Sequence, residues 1–189
     1  NAIGGVVIDS GKFPWLGNPK FPSLSAPSAE YNGLIFAETF GDLAYTMYSH
    51  AISLRDLGCT QSPMNAWITL NGVETLPLRM ERHCLNGIAV AEFLEKHQNV
   101  EWVSHAGLKS SPYYKLGKKY FPNGTGSLFA FGVKGGYESG LKLLESVELF
   151  SHVANLGDTR SLILHPASTT HRQLTEEQRI ASGAGPEVV

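Results

Sequence analysis

The sequence predicts an α/β chain that closes in a small α+β domain. Two patterns carry this. Up to about residue 97, apolar residues recur mainly at helical spacing. From Val100 onward, short apolar runs alternate with helical stretches, each bounded by Gly, Pro, Asn or Asp turns. The 189 residues suffice for one domain or parts of two. Charged residues make up 17%, below the roughly 25% usual for soluble domains, and this points to large interfaces. A net charge of −2 with a single basic cluster, Lys115, Lys118 and Lys119, argues against a nucleic-acid partner. No apolar run approaches the ~20 residues that span a bilayer. Cys59 and Cys84 lack metal-ligand spacing and suit a reducing compartment, and no secretory signal is visible, so the cytoplasm is the expected location.

Ile3 to Ile8 reads as a buried strand opened by Gly4-Gly5, a pair whose expected role is close backbone packing. Ser10 to Gly33 carries Pro14, Pro19, Pro22 and Pro27 among Phe13, Trp15, Phe21 and Tyr31. Proline at this density excludes regular structure, while the aromatics predict a packed insertion, and a loop of this length is usually functional or an interface. Phe40 to Leu57 reads as a helix with Gly58 at its C-cap. A shorter helix runs from Pro63 to Leu70 and is broken at Asn71-Gly72. Pro77 to His97 is the longest helical candidate, with Leu85, Ile88, Ala89 and Phe93 predicted as its buried face. Arg79, Glu81, Arg82 and His83 form a charge cluster that reads as a solvated face, with interface ion pairs as the second reading, and His83 and Cys84, as helical neighbours, do not face each other as a dyad.

In the second half, Val100 to Ser104 and Ser127 to Val133 read as strands. Pro112 to Tyr120 and the stretch after Gly135-Gly136 read as helices. Thr175-Glu-Glu-Gln178 has the capping-box pattern that opens a last helix. Three or four strands with helices packed on them make an α+β unit.

Asn155 to His171 is the stretch richest in chemistry. Asn155-Leu-Gly-Asp158 is a turn, Ser161-Leu-Ile-Leu164 a buried strand, and His165-Pro166 stops it before a polar Ser168-Thr-Thr-His171 cluster. Hydroxyls, an amide and two imidazoles at the two ends of one strand are what a polar pocket requires. A strand between two ordinary turns would read the same way.

The pattern Asn-Leu-Gly-Asp-x-x-Ser-Leu-Ile-x-His-Pro-Ala-Ser-Thr-Thr-His resembles the small-domain signature of the pyridoxal-phosphate enzymes of cysteine and methionine metabolism. It is similar in particular to their O-acetylhomoserine sulfhydrylase branch, as is the aromatic insertion. Glu74 to His83 resembles the family's helix between its large and small domains. The resemblance implies the end of an aspartate-aminotransferase-like large domain over residues 1–74, a connecting helix over 75–99 and an α+β small domain over 100–189. It implies pyridoxal 5'-phosphate as cofactor, O-acetylhomoserine and sulfide as substrates, and a homotetramer. By matching position, Asn155 meets the substrate carboxylate and Thr170 supports the same pocket. Arg160 sits in the wrong part of the motif for that role.

The family's Schiff-base lysine is expected just before Asn1, its carboxylate arginine just after Val189, and its other cofactor ligands in a preceding half. A start without methionine and an apolar run at Pro186 to Val189 strengthen the expectation of a C-terminal piece of a longer enzyme, inactive and unable to fold fully alone. Cystathionine γ-synthase, methionine γ-lyase and a non-catalytic assembly module are the alternatives.

Overall fold

In the computed structural model residues 2–189 are described; Asn1, the first residue of the expected large-domain segment, lies outside them. The chain is mixed helix and sheet, as expected for α/β. It divides between Glu74 and Thr75 into two compact units.

The first unit is helical and differs from expectation at its start. Residues 3–8 form no strand, and Ile3 and Ile8 are both 87% exposed. The cause is simple. An apolar run becomes a strand only when a ladder partner satisfies its N–H and C=O groups, and among the described residues none pairs with it.

The insertion is packed, as its aromatics predict. Trp15 lies 5.2 Å edge-on from Phe21 and stacks on Tyr45 at 5.6 Å, centroid to centroid. It is not wholly irregular, because Pro22 opens a single turn, α1 (Pro22–Ser25), and a 3₁₀ turn follows at Ala29–Tyr31. The predicted helix from Phe40 to Leu57 is also more broken than its periodicity indicates. Helix α2 (Phe36–Phe40) ends at Gly41, whose φ of +50° no β-carbon favours. Helix α3 (Ala44–Tyr48) then widens into a π-helix over Ser49–Asp56. That π-helix carries Arg55 and Asp56 to the insertion. Tyr31 donates its hydroxyl hydrogen to Asp56 Oδ2 at 2.5 Å, and Arg55 Nη2 donates to the Tyr31 oxygen at 2.8 Å. Asn71-Gly72 does not break the next helix, α4 (Pro63–Glu74). Asn71 Nδ2 donates to the Trp67 carbonyl one turn back at 2.8 Å, so the asparagine joins the helix instead of competing with it.

The second unit opens with α5 (Leu76–Glu95), with Pro77 in its first turn as predicted. Its buried stripe is not the predicted one. Gly87 and Ala91 are buried, whereas Leu85 is 56% and Phe93 64% exposed. The unit packs a loop tightly on the small residues: a β-carbon on Gly87 would lie 2.8 Å from Ser127 Cα.

Strands β1 (Val100–Ser104) and β2 (Ala130–Val133) pair antiparallel, with Val103 opposite Phe131. Helix α6 (Tyr114–Tyr120) lies between them in sequence. Gly132 is required because the Trp102 indole occupies the place a side chain would take. On the other edge of β2, Val189 exchanges two 3.0 Å backbone hydrogen bonds with Phe131, and Val133 donates to Glu187. The apolar end of the chain is therefore paired, making β2 a central strand. Phe131, Val133, Leu144 and Val189 form the core, with Leu94, Val103 and Ile163 packed against it.

Helix α7 (Gly136–Ser146) supplies Leu144. Strands β3 (Ser151–His152) and β4 (Leu162–Ile163) form a separate, short parallel pair, followed by a 3₁₀ turn at Pro166–Ser168. The last helix, α8 (Glu176–Ala181), has the full capping box: Thr175 accepts from the Gln178 amide and Gln178 accepts from the Thr175 amide. Thr175→Ala is expected to cost this helix about 1 kcal/mol. Hydrogen exchange at Gln178 checks this, and unchanged protection there would leave the cap without energetic weight.

Candidate functional site

Asn155 and Thr170 come after the two strands of one short parallel ladder in sequence. In the parallel pair, Ser151 lies opposite Leu162 and His152 opposite Ile163. In sequence, Asn155 follows the end of β3 and Thr170 follows the 3₁₀ turn after β4. Among the described residues no hydrogen bond joins them.

Around Asn155 the turn is closed by side chains. Its Oδ1 accepts from the Leu156 amide at 2.9 Å, which fixes the orientation of the amide group. Nδ2 is thereby directed at Asp158 Oδ2, to which it donates at 3.0 Å. Asp158 also accepts from Arg160: the backbone N–H at 2.9 Å, Nε at 3.1 Å and Nη2 at 2.9 Å. The Arg160 guanidinium above all, then its backbone amide and Asn155, hold the Asp158 carboxyl far below the usual carboxylate range. In the same pair the Asp158 carboxylate holds Arg160 more firmly protonated. Arg160 is thus committed to the turn, and it has the wrong engagement for a substrate carboxylate. The amide of Asn155, held by one hydrogen at Asp158, keeps its second N–H as a donor.

Thr170 is exposed, and its Oγ1 lies 2.9 Å from His171 Nδ1. The polar pocket expected from this stretch is consequently not enclosed within the unit. Asn155 and Thr170 stand at its surface, and β4 is a two-residue, half-buried strand instead of a buried one of four. An open cleft of the unit, about 750 Å³, is lined by Pro77, Met80, Cys84, Phe121 and Gly124 among others and includes neither residue. His83 turns to Ser127, with its Nδ1 3.4 Å from the hydroxyl.

Two residues that the motif gave no role are prominent. Asp158 anchors the turn. His165, predicted only to end the strand, has no exposed surface and is surrounded by hydrogen-bond partners.

A cofactor phosphate would need converging N–H donors or a free cation, and the one cation within Asn155 to His171, Arg160, is occupied by Asp158. Among the described residues, the buried side-chain atoms lacking a partner, Asp9 Oδ2 and Trp15 Nε1, belong to the other unit. Among the described residues no group of three His, Cys, Asp or Glu is placed to hold a metal.

Comparison with known proteins gives a coherent result. A family model described as Cys/Met metabolism PLP-dependent enzyme matches residues 1–189. The chain is 46% identical to a homocysteine synthase of Schizosaccharomyces pombe over 188 residues, which are 99% of this chain and 44% of that protein. It is 47% identical to an O-acetyl-L-homoserine sulfhydrylase of Leptospira meyeri, over 98% of this chain and 44% of that one. A solved structure from Campylobacter jejuni, assigned as an O-acetylhomoserine (thiol)-lyase and carrying a pyridoxyl-lysine monophosphate, superposes with a TM-score of 0.80 at 36% identity. That superposition covers 92% of this chain and 41% of the other. The chain therefore spans less than half the length of the relatives it matches.

Proposed function

Because the chain belongs to the Cys/Met-metabolism family of PLP-dependent enzymes, we propose that it is the C-terminal portion of an O-acetylhomoserine sulfhydrylase. The reaction is replacement: sulfide displaces acetate from the γ-carbon of O-acetylhomoserine, giving homocysteine and acetate. One observation carries the reading. Identity of 46–47% runs over essentially the whole chain with a homocysteine synthase and an O-acetylhomoserine sulfhydrylase.

We assign residues 1–74 to the end of the large domain, 75–99 to the connecting helix and 100–189 to the small domain. The family cofactor supplies the electronic work of the reaction, and the part of this chain is orientation. The remaining N–H of Asn155 is suited to donate to the substrate carboxylate, and we assign the Thr170 hydroxyl to support the same pocket. The low charge content supports assembly, and we propose a homotetramer in the cytoplasm. Among the described residues no helix is long and apolar enough to cross a membrane.

The test is made on the full-length polypeptide loaded with pyridoxal phosphate. O-acetylhomoserine and sulfide are expected to yield homocysteine and acetate. Turnover with cysteine to cystathionine as the faster reaction would identify a cystathionine γ-synthase. Release of methanethiol from methionine would identify a γ-lyase, and no turnover of any of these would leave an assembly module.

A further inference from the structure

We infer that His165 is a positioning residue that holds the Asn155–Thr170 ladder against the central sheet. The inference rests on the reading of Asn155 and Thr170 as substrate residues. Its basis is that the two small sheets of this unit have no strand in common, whereas one imidazole bonds to the segments on both sides.

His165 directly follows the half-buried stretch 162–164 and is completely buried. Its Nε2 lies 2.9 Å from the Pro186 carbonyl. A carbonyl only accepts, so Nε2 carries the hydrogen and donates it. Nδ1 of this tautomer is then the acceptor, and the Ser168 hydroxyl donates to it at 3.0 Å. Pro186 immediately precedes the segment that pairs with β2 through Glu187 and Val189. The ring thus ties the exit of β4 to the outer edge of the central sheet.

Helix α7 closes the other side. Tyr137 packs edge-on at 5.1 Å, and a β-carbon on Gly140 would lie 2.7 Å from the imidazole Cδ2 and Nε2. The backbone of His165 is held as well, since Thr169 Oγ1 donates to its carbonyl at 2.8 Å. Thr169 precedes Thr170. The same residue therefore fixes where the Thr170 cluster starts and where the 187–189 segment runs.

A leucine in this position fills the space but leaves the Pro186 carbonyl without its imidazole donor, and the Ser168 hydroxyl keeps only the backbone carbonyl of residue 165, 3.2 Å away. A glutamine keeps an N–H that can reach Pro186. The experiment uses the full-length enzyme with its cofactor and compares His165→Leu with His165→Gln. For His165→Leu, KM for O-acetylhomoserine is expected to rise about tenfold, with kcat changed less than about threefold and cofactor absorbance retained. His165→Gln should restore KM to within about threefold. A melting temperature that falls while KM stays put in His165→Leu would overturn the inference, leaving His165 a packing residue. If His165→Leu does not fold, Ser168→Ala decides: a KM raised about threefold or more supports the positioning role, and an unchanged KM overturns it. Asn155→Leu is measured alongside. An unchanged KM there would refute the substrate reading itself, whereas a raised KM with silent His165 variants would refute only this inference.

Discussion

Phe131→Ala is expected to destabilise the second unit by about 3–5 kcal/mol, the cost of removing a buried phenyl ring and leaving its cavity. Phe131 lies at the centre of the core with Val133, Leu144 and Val189. It stands opposite Val103 on one edge of β2 and exchanges two backbone hydrogen bonds with Val189 on the other. Collapse into the cavity would have to move both neighbours, so little relaxation is available. Hydrogen exchange of the β1 and β2 amides in the full-length protein measures the loss. A change below about 1 kcal/mol would show that the sheet does not depend on this ring.

For Asn155→Leu in the full-length enzyme, kcat/KM for O-acetylhomoserine is expected to fall roughly ten- to 150-fold. Leucine is of similar size but cannot donate, and losing a hydrogen bond to a charged group costs about 1.5–3 kcal/mol. The substitution also withdraws one of the four donors to Asp158. Asp158→Ala is therefore the control, because it releases the turn while keeping the amide. An Asn155→Leu enzyme with unchanged kcat/KM would reduce Asn155 to a turn residue. Equal losses in both variants would move the effect from the amide to the turn.

Local chemistry made much of the chain legible. Proline at the first turn of α5 and the reciprocal Thr175–Gln178 cap act within a few residues, and both appear where the pattern requires them. The Asn155–Asp158 turn was legible for the same reason, since asparagine, glycine and aspartate make their bonds to near neighbours.

Apolar patterning alone was less decisive. It marked α5 as a helix but pointed to Leu85 and Phe93, when close approach of the loop at Gly126 and Ser127 buries Gly87. It marked residues 3–8 as a strand, although a strand exists only through a partner. It did not show the π-helix at Ser49–Asp56, where the register of hydrogen bonds, not the spacing of apolar residues, defines the element.

At the candidate site the same division holds. By itself, the sequence determined the family signature, the turn that holds Asn155 and the polar cluster containing Thr170. Only the tertiary structure decided that Asn155 and Thr170 stand exposed and that His165 is a buried clamp. The bond from His165 to the Pro186 carbonyl spans 21 residues. A backbone carbonyl exists at every position, so nothing in the local sequence distinguishes the one that three-dimensional packing brings to the ring.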